Sequence, residues 1–298
     1  MSPEYELKRC AHCGTWIPAT AGMCASCGTS DVDGARARAS GARAAPPRRA
    51  RAAWWPRNLS VTNAIILVNV GYFLWTMRVQ AALAGPEGMP SLLSMRGFGA
   101  ALYMQGAYIH EGVAAGEWWR IVAATFLHGG LLHIGMNMFT LRSAGALLEE
   151  LVGPARFLTI YLVSGICSTL AISVWFTYVL QDRSPHMMVG ASGAIFGVLG
   201  TLAVMLRTRG RGRAQLLGRT LLRDIVFMLI VGFLVPIVSN TGHVGGLLPG
   251  MAFGFFVGSS FAERPGSLRG RAWTLAATLL VAFAALSLGA GFLHSLPR

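Results

Sequence analysis

Polar and apolar positions along this chain separate into blocks instead of alternating with a helix or strand period. Apolar runs cover residues 58–77, 131–148, 157–180, 188–206, 225–262 and 272–293, and Arg142 is the one charge inside them. Runs of about 18 or more apolar residues read as transmembrane helices. The run 225–262 is too long for one ordinary span. Its Ser239-Asn240-Thr241-Gly242 cluster is turn and helix-cap chemistry, which splits it into a fifth and a sixth helix. The pattern therefore predicts an all-α polytopic membrane protein with seven spans. Residues 79–120 are amphipathic, with glycine, proline and aromatics, and predict a loop with interfacial pieces.

Composition agrees with the blocks. Of 298 residues, 54% are hydrophobic and 12% charged, against about 25% charged in an average soluble domain. The net charge of +13 is arginine, Lys8 being the single lysine. Those arginines lie in the gaps between apolar runs, where they suit anionic lipid better than a nucleic-acid groove. They also fix an orientation. With the N-terminus inside, the inner loops are 1–57, 149–156, 207–224 and 263–271, and they hold the arginine clusters RTRGRGRAQLLGRTLLR and ERPGSLRGR. The outer loops carry only scattered arginines, such as Arg96, Arg120 and Arg183. The positive-inside rule then predicts a cytoplasmic N-terminus and an external C-terminus in the inner (plasma) membrane.

The first 57 residues differ from the rest. Cys10-x-x-Cys13 and Cys24-x-x-Cys27 form two knuckles within residues 1–30. The first apolar run begins too late for a signal peptide, so reducing cytosol is expected, and grouped cysteines there hold metal more often than disulfides. Four thiolates in paired knuckles suit tetrahedral structural zinc, with an iron–sulfur or redox role as the alternative. The module resembles a short zinc ribbon; its own partner is not legible. His12 reads as an exposed side chain, not a ligand. Residues 31–57, rich in Ala, Arg, Pro and Gly, read as a disordered basic linker. Cys167 reads as a small apolar core residue, and His110, His186 and His294 receive no role.

Three polar groups stand out in the membrane region: His128, His133 and Asn137 in HGGLLHIGMN, Ser192 in GASG, and His243 in GHVGG. His133, Ser192 and His243 open the second, fourth and sixth predicted helices, all at the outer face. Any one alone reads first as structural, since a serine in a membrane helix usually bonds its own backbone; a histidine inside a span differs, because an ionisable group there is costly and points by default to function. Together at one depth they fit peptide hydrolysis, which needs a nucleophile, a base and oxyanion donors. Ser192 is the candidate nucleophile and His243 its base. His133 and Asn137, at i and i+4, share a face and are candidate oxyanion donors. No carboxylate is placed as a third member, so the expected unit is a Ser–His dyad without a catalytic cofactor. Gly193, Gly197 and Gly200, with Gly246, Gly250, Gly254 and Gly258, allow the fourth and sixth helices to approach closely, although generic packing explains them equally well.

These motifs, with Trp119-Arg120 in the first outer loop, resemble the rhomboid intramembrane proteases from about Val61 to Ala262. The resemblance implies a six-helix core (residues 58–262) with a water-filled cavity opening outward. The remainder, 263–298, supplies a loop and a seventh helix found in some members. It implies an intramembrane serine endopeptidase that cleaves single-pass membrane proteins in or near their transmembrane segment. His128 matches a structural histidine of the first outer loop, and Glu149, or its neighbour Glu150, an acidic residue that anchors helix two. Phe196 stands where members often have a tyrosine stacked on the base; its ring can stack but cannot hydrogen-bond. The main alternative is a catalytically silent rhomboid-like protein that binds membrane clients. A transporter is a further alternative, but no internal repeat is present.

Overall fold

The structure, a computed structural model, describes residues 7–11, 16–18, 22–24, 30, 60–84, 98–181, 187–210, 212–235, 238–257 and 267–296. The chain divides into two units, Met1–Arg49 and Ala50–Arg298. In the first, strands β1 (Leu7–Arg9) and β2 (Trp16–Pro18) pair antiparallel, with Lys8 opposite Ile17. Cys10 follows β1 directly, and both Cys10 and Cys24 are buried. Cys13, Cys27, His12 and the linker 31–57 lie outside the described residues.

The second unit is helical. Its long helices are α1 (Val61–Ala84), α2 (Leu131–Val152), α3 (Pro154–Leu180), α4 (Ser192–Arg209), α5 (Arg213–Leu234), α6 (Asn240–Phe256) and α7 (Leu268–His294). By length and composition, α1, α3 and α7 can each cross a membrane; α2 joins them if it and the bent segment before it are one span. α4 passes through the centre of the unit. Every residue from Gly193 to Met205 is buried, as expected for a helix that is apolar all round. α3 and α6 flank it.

Several boundaries differ from the sequence pattern, each for a local reason. α5 starts at Arg213, twelve residues before its predicted start, because Arg219, Arg223 and Asp224 ride on an amphipathic first half that a hydropathy pattern reads as loop. α1 likewise runs through Arg78 to Ala84. α2 and α3 are separated by Gly153 alone, whose φ of 86° is a conformation glycine adopts freely, and Pro154 then sits in the first turn of α3, where its missing N–H costs nothing. α4 begins at Ser192, not 188. Met188 instead pairs with Tyr108 through two backbone hydrogen bonds of 3.0 Å, so the chain is extended until the turn at Gly190.

The loop between α1 and α2 contains the short helices Gly99–Gln105, His110–Ala114 and Arg120–Ala123. Arg120 organises it. The side chain is fully buried and donates from Nη1 to the carbonyls of Tyr103 at 2.7 Å and Ala107 at 2.9 Å. It also pairs with Glu117 and lies over the rings of Tyr103 and Trp119. A buried guanidinium is tolerable only with such partners, and its planar fork serves several carbonyls at once.

Glu149 performs a comparable service at the opposite end. Its carboxylate accepts from the amides of Val61 and Thr62, each at 2.9 Å, and from the hydroxyls of Ser60 and Thr62. These amides are the orphan donors of the α1 N-terminus, where negative charge is also favoured by the helix dipole. The acid on α2 therefore anchors that helix by capping α1, with Glu149 making all of these bonds.

Candidate active site

The glycines on α4 and α6 determine how closely the two helices meet. A Cβ added at Gly246 would overlap the carbonyl of Gly193, and one at Gly250 the carbonyl of Gly197. At Gly193 and Gly197 it would overlap Ser168 and Ser164 of α3. The Thr201 hydroxyl, 2.8 Å from the Gly250 carbonyl and 2.9 Å from that of Gly197, adds a polar tie across the same seam. Backbone therefore touches backbone, as small-residue spacing permits. Gly258 lies outside the described residues.

That approach brings the starts of α4 and α6 together. Ser192 Oγ and His243 Nε2 are 2.9 Å apart, within hydrogen-bond distance. His243 lies one turn into α6, whose first turn is capped by Ser239: its hydroxyl accepts from the Gly242 amide at 3.2 Å. The imidazole lies flat on Phe196, with ring centroids 4.2 Å apart and planes 11° from parallel. The phenyl ring thus supplies the stacking face, and the serine and its platform are one turn apart on α4. His243 Nδ1 has no hydrogen-bond partner, carboxylate or other, among the described residues.

Ser192 is the first residue of α4, so the opening N–H groups of the helix lack intrahelical acceptors beside the hydroxyl. The third element, α2, brings His133 against Gly190: a Cβ at Gly190 would stand 2.8 Å from His133 Nε2 and 3.8 Å from Ser192 Oγ. Gly190 has φ of 133°, and the absence of a side chain there lets the histidine approach the nucleophile's turn. Asn137, one turn further along α2, is buried, and its Nδ2 has no partner among the described residues. Such a donor has a hydrogen bond left to make, to water or to an acceptor that enters the site. His128 packs edge-on to His133 with ring centroids 5.0 Å apart and is fully buried, as a structural histidine would be.

Two parts of the surround were not legible in the motifs. One is the frame before Ser192, formed by the Tyr108–Met188 pairing and by the Gly190 amide donating to the Ala124 carbonyl at 2.9 Å. Gly190 in GASG signalled the turn but not the pairing. The other is the pair of α3 serines, Ser164 and Ser168, spaced four apart against Gly197 and Gly193. Cys167 beside them is half-buried. His110 lies 3.4 Å from the Thr177 hydroxyl and His294 packs on Trp119; His186 lies outside the described residues.

A model of the Rhomboid domain matches residues 115–260, which span α2 to α6 and all four of these site residues. Rhomboid protease GluP of Bacillus subtilis (strain 168) is 36% identical over 189 residues, 63% of this chain and 34% of its own length. RHOMBOID-like protein 5 of Arabidopsis thaliana is 36% identical over 169 residues, 56% of this chain and 50% of that protein. This chain thus spans about a third of the first and half of the second. YdcA of Bacillus subtilis (strain 168) is 33% identical over 144 residues, 48% of this chain and 69% of that protein. With the apolar helices of the second unit and a likeness that runs through most of YdcA, the chain is an integral membrane protein and belongs to the rhomboid family.

Proposed function

We propose that this protein is an intramembrane serine endopeptidase acting by a Ser–His dyad on single-pass membrane proteins, in or near their transmembrane segment. The observation that carries the reading is the 2.9 Å contact between Ser192 Oγ and His243 Nε2 on an aromatic platform. Ser192 Oγ attacks the scissile carbonyl carbon while His243 Nε2 takes the hydroxyl proton. The carbonyl oxygen becomes an oxyanion, received by the free amides at the α4 start and by His133 and Asn137. On collapse the C–N bond breaks, and His243 returns the proton to the leaving amine. A water then attacks the acyl-serine ester by the reverse proton path. In the test, the purified protein is expected to cut a single-pass substrate in detergent and to be labelled by a fluorophosphonate. Binding of such a substrate with neither cleavage nor labelling would instead favour a silent, client-binding protein.

In the same reading all seven long helices span the inner membrane, with the N-terminus cytoplasmic, the C-terminus external and the site near the outer face. The arginine-rich connections support this orientation. A reporter fused after Arg213 should read cytoplasmic and one after Arg298 external; the same side for both removes the seven-span count.

Residues 1–30 are proposed to be a zinc ribbon held by Cys10, Cys13, Cys24 and Cys27. The burial of Cys10 and Cys24, with Cys10 at the end of a strand, fits thiolates closing on a metal. Zinc there would supply folding free energy and no chemistry to the reaction. One tightly bound zinc per chain is expected, lost in a Cys10→Ser/Cys13→Ser variant; metal analysis without zinc removes the ribbon. Residues 31–57 would be the linker to the membrane unit.

A further inference from the structure

The second half of α7 packs on the loop before α2, not only on neighbouring helices. Phe283 stacks on Trp118, with ring centroids 5.3 Å apart and planes 15° from parallel. His294 packs on Trp119 at 5.9 Å. Between them Gly291 is buried against the loop backbone. A Cβ there would overlap the Gln105 carbonyl and stand 3.2 Å from the Trp119 ring. Gly106 packs on the same indole; its φ of 102° and the overlap a Cβ would make with Trp119 leave no room for another residue. Trp75 of α1 closes the seam, donating from Nε1 to Ser295 Oγ at 3.0 Å and packing on Phe292.

This loop in turn holds the segment that presents the nucleophile. Tyr108 pairs with Met188, and Ala124 accepts from the Gly190 amide, two residues before Ser192. Arg120, next to Trp119, ties the loop together from inside. A continuous set of packed and hydrogen-bonded contacts therefore runs from α7 through Trp118 and Trp119 to Gly190.

We propose that α7 is a positioning element for Ser192: by bracing Trp118 and Trp119 it fixes the extended segment 187–190 and hence the geometry of the nucleophile and of His133 beside Gly190. This rests on the proteolytic reading for its consequence in rate, but not for its consequence in structure. Displacement of a reacting group by about 1 Å can cost about 10²-fold. A side chain at Gly291 meets backbone, which cannot rotate aside, so α7 and the loop must part and the brace is released.

The test compares Gly291→Leu with Gly289→Leu on the same helix, where an added Cβ has nothing within 4 Å. Fluorophosphonate labelling, cleavage, and deuterium exchange of residues 187–190 are measured on the full chain in detergent. Gly291→Leu is expected to slow labelling and kcat by about 10- to 100-fold and to speed exchange at 187–190, with KM little changed. Gly289→Leu should match wild type in all three. Phe283→Ala, which removes one stacking ring without overlap, should move each readout in the same direction by a smaller factor, and it decides the matter if Gly291→Leu fails to fold. Wild-type labelling and exchange in both Gly291→Leu and Phe283→Ala would overturn the brace. Faster exchange in a variant whose parent neither labels nor cleaves would uphold the brace and overturn the protease.

Discussion

Ser192→Ala and His243→Ala are each expected to reduce cleavage by about 10⁴- to 10⁶-fold, and the double variant to be no worse than either, because a nucleophile and its base act as one unit. Neither loss should come from unfolding. Removing Oγ takes one atom from a half-buried position and breaks one contact, while the α4–α6 seam remains held by the glycines and Thr201. Asn137→Ala should be milder, about 10²- to 10³-fold, the range for one oxyanion donor. Its amide has no partner to lose among the described residues, so thermal stability should hold or rise slightly. Labelling separates the roles: Ser192→Ala has no site for the probe, whereas Asn137→Ala keeps one and reacts slowly. Wild-type cleavage in Ser192→Ala, or small effects at both His243 and Asn137, would move the chemistry elsewhere.

What the sequence made legible follows from contrast against an apolar background. Ser192, His133 and His243 are conspicuous because polar groups at membrane depth are costly, and their places at helix starts could be read from the apolar runs around them. Ser239 and Gly242 marked the break before α6 because capping chemistry is local. Glu149 was narrowed to one of two neighbouring acids, and only its bonds to residues nearly ninety positions away separate it from Glu150. The first half of α5 was illegible for the opposite reason: its arginines look like loop to a hydropathy pattern, although arginine is a good helix former. The pairing of Tyr108 with Met188 and the packing of Gly291 on Gln105 left no trace, since each joins segments far apart in the chain through backbone, which carries no residue identity.

Gly246→Val is expected to be the most damaging substitution outside the reacting groups. Glycine inside a helix is worse than alanine by about 1 kcal/mol, so on propensity alone even Gly246→Ala should stabilise. Gly71→Ala provides that baseline: it lies inside α1 with nothing within 4 Å of an added Cβ, and its midpoint in detergent should hold or rise. At Gly246 the Cβ overlaps the Gly193 carbonyl. No rotamer relieves a clash between two backbones, so α4 and α6 must separate. Overpacking typically costs about 1–3 kcal/mol. Gly246→Ala should therefore fall below wild type in spite of its propensity, and Gly246→Val, with two more methyl groups in the seam, should reach or pass the upper end. Separation also lengthens the Thr201–Gly250 tie and the Ser192–His243 contact, both of which bridge the same two helices. Labelling should then slow by about 10²-fold or more, in the same order as the midpoints: Gly71→Ala like wild type, Gly246→Ala reduced, Gly246→Val lowest. A Gly246→Ala protein as stable and as reactive as Gly71→Ala would mean that the two helices do not meet there, and that the 2.9 Å contact has another origin.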